Sequence, residues 1–324
     1  MQTSVFYPLQ PSDPGSMVRF GEFAQEHGAR RLWMGQSLRL ESHLVLAALA
    51  ARVPGLALGT GVALTPLRHP FTAAVDARTL AALSGAPYVA GFGPGQPSFQ
   101  GSVLPAPYDR PLRAVREYAT VMRGLLDGKV VDHDGEFYSV HGGLEPIRSP
   151  EVEIGLGVLR SGMARTAGRV ADVAITWLTP HWYLSGDIMP TLADGAADSG
   201  RKPPRVVSVV HVAVDRPKRN LRRAGRVAAG AHLGSDHYTD MLRRAGIAAD
   251  PAAPVKGVEA LIEANIFATG TPEEIAAEVR KYYDAGVDEV VLNACGVFAT
   301  EGETAALRDL HEILAALGAR EEVG

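Results

Sequence analysis

The sequence predicts a single (β/α)8 barrel, a closed parallel sheet surrounded by helices. Short apolar runs recur along the chain, segments of helical length separate most of them, and 324 residues with 46% apolar content can build one large core. Eight strands are predicted, at 4–7, 31–34, 56–62, 88–92, 152–156, 173–177, 206–214 and 289–293. Strands that alternate with helices form parallel sheets, and eight of them can close a barrel.

Two predicted helices have clear boundaries. The first begins after Thr271, a capping residue whose partner in a capping box, Glu274, follows three positions later, and Gly286 marks its end. The second covers 109–127, where apolar residues recur every three or four positions before Gly128. Each helix therefore has one apolar face, which we expect to pack on the outside of the barrel.

The chain, residues 1–324, reads as one domain with two excursions from a minimal barrel. Residues 129–150 are rich in glycine and proline and precede the fifth strand, and residues of about 228–268 separate the seventh strand from the eighth. In a barrel, segments that follow strands lie on the active-site face. Long loops are either functional lids or disordered segments, and both alternatives are consistent with this pattern.

The composition argues against several function classes. A net charge of -4 gives no basic field to hold nucleic acid, and no apolar run approaches the roughly 20 residues that span a bilayer. The N-terminus has no secretory pattern, so we expect a cytoplasmic protein that acts on a small molecule. The single cysteine, Cys295, excludes an internal disulfide and a multi-cysteine zinc site.

Glycines cluster where two neighbouring strands end. Gly59 and Gly61 close the third predicted strand, and Gly91, Gly93 and Gly95 close the fourth. Glycine lets a ligand approach the main chain closely and adopts backbone angles that other residues avoid. The two strand ends therefore indicate one binding site at the carboxyl end of the sheet, where barrel active sites form.

Residues 155–163 join another strand to a helix through a glycine-containing turn. In such a turn, unpaired backbone N–H groups and the positive end of the helix dipole favour an anion, and a phosphate is the natural guest. The spacing of Gly155, Gly157 and Gly162 matches neither a dinucleotide fingerprint nor a Walker A loop. A tight turn without a ligand is therefore an equal alternative for this segment.

The residues that follow the predicted strands include almost no carboxylates. Glycosidases need paired acids, and metal sites need clustered ligands. His232 and His237 stand five positions apart, which does not place both on one face of a helix. We therefore predict neither glycosidase chemistry nor a bound metal.

Short motifs that follow one another along nearly the whole chain resemble the bacterial luciferase-like superfamily. They are Gly59-x-Gly61-Val62, Pro66-x-x-His69-Pro70, Thr79-Leu80-x-x-Leu83-Ser84, Gly91-x-Gly93-x-Gly95, Arg116-Glu117-Tyr118, Gly135-x-Phe137-Tyr138, Ala167-Gly168-Arg169 and Gly270-Thr271-Pro272-Glu273-Glu274. Within this superfamily, the run Gly91-Phe92-Gly93-Pro94-Gly95-Gln96 and the opening Phe6-Tyr7-Pro8 are most similar to methylenetetrahydromethanopterin reductases and related enzymes that use the deazaflavin coenzyme F420.

The resemblance implies a (β/α)8 barrel that holds coenzyme F420 in its mouth, and it suggests a homodimer. It implies a cis peptide bond at Gly61–Val62 behind the cofactor ring and a cofactor phosphate on the turn 157–163. The residues expected to contact the cofactor are Gln36, Gly61, Val62, Gly93, Gly95, Gly157, Ser161, Gly162, Met163, Trp177 and Thr179.

The chain departs from the related reductases where those enzymes carry acids. It has Val5 and Phe6 on the first strand and Gln96 after the fourth, and Gln36 and Ser37 stand where many relatives have an acid–histidine pair. A methanopterin substrate is therefore not expected. A substrate that needs little acid assistance, such as an iminium ion, agrees with these absences.

The residues predicted to take part in catalysis are Tyr7, His69 and Gln96. Tyr7 and His69 are possible proton sources, beside a residue on an insertion or solvent, and Gln96 is placed to contact cofactor or substrate. His69 precedes Pro70 at a predicted helix start, so helix capping is the alternative for this residue.

These observations predict a coenzyme F420-dependent oxidoreductase that moves a hydride between the deazaflavin and a small organic substrate. An FMN-dependent monooxygenase of the same barrel type is the main alternative, in which a reduced flavin activates oxygen. A cofactor-binding homologue without catalysis is the third, because the acids of the related reductases are missing.

Overall fold

The computed structural model describes residues 2–319, and a closed parallel barrel forms its centre. The strands are β1 (Gln2–Phe6), β2 (Leu32–Met34), β3 (Leu58–Thr60), β4 (Ala63–Leu64), β5 (Tyr88–Gly93), β6 (Val131–Asp134), β7 (Ser139–Gly142), β8 (Val152–Gly157), β9 (Val173–Trp177), β10 (Arg205–Val214), β11 (Phe267–Gly270) and β12 (Glu289–Asn293). Around the barrel the order is β1, β2, β3, β5, β8, β9, β10 and β12, and β12 pairs with β1 to close it. The predicted barrel of eight strands is confirmed.

Helices surround the barrel. They are α1 (Val18–Glu26), α2 (Ser42–Arg52), α3 (Pro70–Ser84), α4 (Pro97–Val103), α5 (Pro111–Leu126), α6 (Ser161–Val170), α7 (His181–Tyr183), α8 (Met189–Ala197), α9 (Leu221–Leu233), α10 (Asp236–Arg244), α11 (Pro254–Glu263), α12 (Pro272–Asp284), α13 (Cys295–Glu301) and α14 (Glu303–Gly318). A 3-10 turn, Thr65–Leu67, precedes α3, and a π-helical turn, Leu184–Ile188, joins α7 to α8.

The two helices with predicted boundaries form as expected. The Glu274 N–H donates to Thr271 Oγ1 at 3.3 Å, and the Thr271 N–H donates to Glu274 Oε2 at 2.8 Å, which completes the capping box of α12. Gly286 follows the end of α12 with a φ of 97°, a left-handed conformation that favours glycine. The buried face of α5 packs in the main hydrophobic core outside the barrel.

Side chains from alternate strand positions fill the barrel interior. They are Phe6, Trp33, Val89, Val173, Ile175, Val207, Val209 and Val291. The alternation places neighbouring residues such as Val5 and Tyr7 in the other core, between barrel and helices. On the same inward face, the residues that come next toward the carboxyl ends of the strands therefore form the rim of the barrel mouth.

Some strand glycines are required by packing inside this interior. A Cβ atom on Gly59 would lie 2.7 Å from the Trp33 ring, and one on Gly91 would overlap the carbonyl oxygen of Thr60. One on Gly155 would lie 2.8 Å from Ile175 Cδ1. The glycine pattern of the sequence thus has two causes. Gly59, Gly91 and Gly155 make room for neighbouring protein atoms. Only the glycines nearer the carboxyl ends of the strands remain for a ligand.

The two excursions contain regular secondary structure. Residues 129–150 include the antiparallel hairpin of β6 and β7. The segment 228–268 holds the second half of α9, all of α10 and α11, and the start of β11, which pairs with the last four residues of β10. The alternative of a disordered loop is therefore wrong for both segments.

The amino-terminal floor of the barrel contains a buried carboxylate. Glu289 Oε1 accepts hydrogen bonds from Ser4 Oγ at 2.6 Å and from Trp33 Nε1 at 2.7 Å, and Arg31 Nε lies 3.2 Å from the same oxygen. Both Arg31 and Glu289 are essentially inaccessible to solvent. Because a buried charge is tolerated only when it is paired, this cluster has a structural role.

Candidate active site

The barrel mouth has two chemically different halves. The glycine half consists of the residues at or just after the ends of β2, β3, β5 and β8, which are Gly35, Gly61, Gly93 and Gly157. The aromatic half consists of Phe6, Trp177 and Asn293 at the ends of β1, β9 and β12, and of His211 on β10, which is in register with Asn293. Each half is continuous around the barrel, because its four strands are neighbours.

Main chain and one valine form the surface of the glycine half. The peptide bond Gly61–Val62 is cis, as the resemblance implies. A Cβ atom on Gly93 would lie 3.1 Å from Val62 Cγ2, and one on Gly157 would lie 3.4 Å from Val62 Cγ1. Gly95 has a φ of 71°, which favours glycine for conformational reasons. Larger side chains at these positions would narrow the space above Val62.

The turn predicted to bind an anion leads from β8 into the amino terminus of α6. The backbone of Arg160 caps this helix, no side chain accepts a hydrogen bond from its first N–H groups, and Ser161 and Gly162 are exposed. The Arg160 side chain turns toward α10, where it donates to Asp240 Oδ2 at 2.9 Å and contacts His237 Nδ1 at 3.1 Å. The turn therefore presents backbone donors, while its arginine links it to the second excursion.

Two of the predicted cofactor contacts hold loops of the mouth together. Gln36 Oε1 accepts from the Leu64 N–H at 3.1 Å, and its Nε2 donates to the Ser37 carbonyl at 2.8 Å. Thr179, which is 1% exposed, donates from Oγ1 to the Trp177 carbonyl at 3.1 Å. These bonds give both side chains a structural role, and a direct contact with the cofactor stays a prediction.

Tyr7 lies outside the barrel interior. Its ring packs edge-on against Phe20 and Phe298, with ring centroids 5.4 and 6.4 Å apart, and burial raises the pKa of its hydroxyl. The cause is strand alternation, because Phe6 takes the inward position on β1. The structure therefore does not place the Tyr7 ring in the mouth.

His69 and Gln96 lie at exposed helix starts. His69 Nδ1 accepts a hydrogen bond from the Phe71 N–H at 3.3 Å and caps α3, in agreement with the capping alternative. Gln96 is the residue before α4 and is exposed. Neither side chain is among the residues of the two halves, so the three predicted catalytic residues are not brought together.

A polar cluster that the sequence reasoning missed lies on the aromatic half. We call it the imidazole cluster, and it comprises Trp177, His211, His232 and Tyr238. Ring centroids are 5.0 Å apart for Trp177 and His211, 5.4 Å for Trp177 and His232, and 4.7 Å for His232 and Tyr238. Its members come from β9, β10, α9 and α10, so the second excursion contributes two of the four rings.

Several polar atoms of this cluster are buried without a hydrogen-bond partner. They are both ring nitrogens of His211, Nε1 of Trp177 and Nδ1 of His232. Burial lowers the pKa of His211 to about 3 and that of His232 to about 4, so both rings are neutral near pH 7. The sequence carries a signal for His211, because this residue continues the inward series of Val207 and Val209. The predicted strand 206–214 does not distinguish it from its apolar neighbours.

Within residues 2–319, no three histidine, cysteine, aspartate or glutamate side chains are grouped so that they could hold a metal ion. In the same part of the chain, the helices are too short or too polar to cross a membrane.

Comparisons with known proteins agree with this architecture. The family model described as luciferase-like monooxygenase matches residues 1–289. The chain is 25% identical over 303 residues to the 5,10-methylenetetrahydromethanopterin reductase of Methanolobus tindarius, with 87% of this chain and 91% of that protein covered. It is 26% identical over 302 residues to the F420-dependent glucose-6-phosphate dehydrogenase of Nocardia farcinica, with 87% of this chain and 89% of that protein covered.

A solved structure shows the same fold. The coenzyme F420 dependent tetrahydromethanopterin reductase from Methanopyrus kandleri superposes with a TM-score of 0.78. The alignment covers 99% of each chain at 20% sequence identity.

Proposed function

This chain belongs to the luciferase-like monooxygenase family, and we propose that it is a coenzyme F420-dependent oxidoreductase acting on a small organic molecule. One curated relative that spans most of the chain is an F420-dependent dehydrogenase, and another is a reductase. The observation that carries the proposal is the glycine half of the mouth, which adjoins the open amino terminus of α6.

The glycine half suits a flat ring system. Gly61, Gly93 and Gly157 place main chain around Val62, and added Cβ atoms at the last two positions would crowd that valine. Without side chains, the backbone can approach a planar ligand closely. When bound, the deazaflavin would supply hydride transfer at its C5 atom.

The turn before α6 suits the phosphate of the same cofactor. The first N–H groups of α6, at Ser161, Gly162 and Met163, have no capping side chain, and the helix dipole adds positive potential there. The turn begins at Gly157, so one segment would contact both the ring and the phosphate.

An FMN-dependent monooxygenase is the second candidate, because the family model itself describes monooxygenases. A flavin would use the same glycine half and the same turn. The chemical difference is that a reduced flavin activates oxygen, whereas a deazaflavin reacts poorly with it. The structure favours neither ring system, so the two candidates are separated by binding.

Cofactor binding tests the proposal directly. The purified chain is titrated with coenzyme F420 and with FMN, and cofactor fluorescence is measured. We expect saturable binding of F420, and tight FMN binding without F420 binding would reject the proposal. F420 binding without hydride transfer to a panel of imines, enones, ketones and alcohols would favour the non-catalytic alternative.

We also propose a cytoplasmic homodimer, as the resemblance suggests. Light scattering during size-exclusion chromatography measures the mass, which we expect to be twice that of one chain.

A further inference from the structure

His211 combines complete burial with unused hydrogen-bonding capacity. It is 0% exposed, and neither of its ring nitrogens has a partner. A neutral imidazole carries one N–H donor and one acceptor nitrogen, so two hydrogen bonds are absent at once. Buried polar groups are normally paired, because each unpaired group costs about 1–3 kcal/mol. The two ring nitrogens of His211 are therefore available to hydrogen-bond a bound molecule.

Strand order places His211 across the mouth from the glycine half. In the closed barrel, β3 and β10 are separated by three strands in both directions, so they lie opposite each other. His211 is on the inward face of β10, because Val207 and Val209 of the same face lie in the barrel interior. A molecule bound between a cofactor ring on Val62 and the aromatic half would therefore contact His211.

Among residues 2–319, the neighbours found around His211 carry no charge that would hold an ion. Its neighbours Trp177 and Asn293 are uncharged, and the nearby His232 is neutral near pH 7. Asn293 Oδ1 already accepts a hydrogen bond from the Cys295 N–H at 3.0 Å. Phe6 and Trp177, whose ring centroids are 5.1 Å apart, form an aromatic wall beside it. An anionic substrate would find no counter-charge beside His211, whereas a neutral, largely apolar one needs none.

We propose that His211 binds the carbonyl or hydroxyl oxygen of a neutral, largely apolar substrate held between the glycine half and the aromatic half. The ring nitrogen that faces the substrate donates its N–H to a carbonyl oxygen in one neutral tautomer and accepts from a hydroxyl in the other. One side chain can thus bind both the oxidised and the reduced form of such a substrate. The substrate class rests on the proposed function, because this inference assumes that the cofactor ring lies on the glycine half.

Nuclear magnetic resonance of the histidine side chains tests this contact without measuring turnover. The full chain is labelled with ¹⁵N-histidine, and the His211 signals are assigned by their loss in His211→Asn and His211→Phe. Acetophenone, a neutral aryl ketone, is compared with ethylbenzene, which has no oxygen, and with 4-acetylbenzoate, which adds a negative charge. Each probe is titrated without cofactor and with F420 or FMN present.

We expect acetophenone to shift the His211 nitrogen signals and ethylbenzene to leave them in place. His211→Phe should weaken acetophenone binding at least tenfold and leave ethylbenzene binding unchanged. 4-Acetylbenzoate should bind at least tenfold more weakly than acetophenone. The control His27→Phe, which removes a ring hydrogen-bonded to the Phe23 carbonyl on α1, should alter neither affinity.

The proposal is overturned if acetophenone binds without moving the His211 signals or if it does not bind at all. It is also overturned if His211→Phe weakens the binding of acetophenone and of ethylbenzene equally, or if 4-acetylbenzoate binds more tightly than both neutral probes. Failure of the proposed function gives a different result, because FMN would then bind in place of F420 while the ketone-specific shift of His211 persists.

Discussion

The glycine half and the aromatic half of the mouth belong to one barrel and differ in what they offer a ligand. The glycine half presents main chain around Val62, whereas the aromatic half presents rings with unused hydrogen-bonding atoms. The floor of the same barrel provides a reference, since Glu289 is buried there with two hydrogen bonds and an arginine partner. Pairing at the floor is partial, since Glu289 Oε2 and Arg31 Nε have no hydrogen-bond partner, whereas at the mouth neither ring nitrogen of His211 has one.

The largest expected effect is on stability, and it distinguishes glycines that are packed against protein atoms from glycines of the glycine half. In Gly91→Ala the new methyl group overlaps the carbonyl of Thr60 and contacts Ile175, so the barrel must shift. We expect a loss of about 3 kcal/mol or more in the free energy of unfolding, measured by urea denaturation. Gly35→Ala is the matched control, because its methyl group would lie 3.6 Å from Phe6 Cζ, an ordinary contact. Equal losses in both variants would contradict the distinction.

The next effect concerns acid stability and the aromatic half. The pKa of His211 is lowered to about 3 in the folded chain, whereas a histidine in the unfolded chain has a pKa of about 6.5. Between these values the unfolded state binds the extra proton, so stability falls as the pH falls, by about 1.4 kcal/mol per pH unit.

His211→Phe removes this proton uptake and leaves that of His232 in place. From about pH 6 to about pH 4, we expect the variant to lose about 2 kcal/mol less unfolding free energy than the original chain. Urea denaturation at a series of pH values provides the measurement. Parallel stability curves for the two proteins would show that His211 is not the buried neutral group described here.

The smallest effect tests the glycine half as a cofactor site. Gly157→Glu places a bulky acidic side chain beside Val62 and at the start of the turn before α6, where it would repel a phosphate. We expect at least tenfold weaker cofactor binding, or about 1.4 kcal/mol, measured by fluorescence titration. Ser161→Glu should act in the same direction.

Gly186→Glu is the control for this charge change. Gly186 is exposed, and a Cβ atom there would have no neighbour within 4 Å. We expect cofactor affinity to be unchanged in this variant. Unchanged affinity in Gly157→Glu as well would place the cofactor outside the glycine half.

Local patterns sufficed to predict the framework of the fold. The eight barrel strands, the capping box at Thr271 and the cis bond at Gly61–Val62 were predicted from the sequence, the last through the family resemblance. These features depend on residues that are neighbours along the chain or on motifs in a fixed order. The hairpin and helices inside the two excursions lacked sequence signals strong enough to be recognised.

The candidate site was predicted less completely, because its contacts join distant segments. Tyr7 and Phe6 are adjacent in sequence, and only the closed barrel decides that Phe6 faces the interior. Gly91 and Gly93 belong to one motif, yet Thr60 and Ile175 crowd the first while Val62 lies beside the second. Residue type alone does not show which member of each pair faces the mouth.

The sequence by itself determined the barrel, the family and the glycine-rich strand ends, since alternation, capping and motif order are local properties. Tertiary structure alone decided which glycines pack against protein atoms and that His211 is buried without a partner beside Trp177 and on the strand opposite β3. The physical reason is that desolvation and hydrogen bonding depend on what surrounds a side chain. For His211, those surroundings come from β9, α9 and β11.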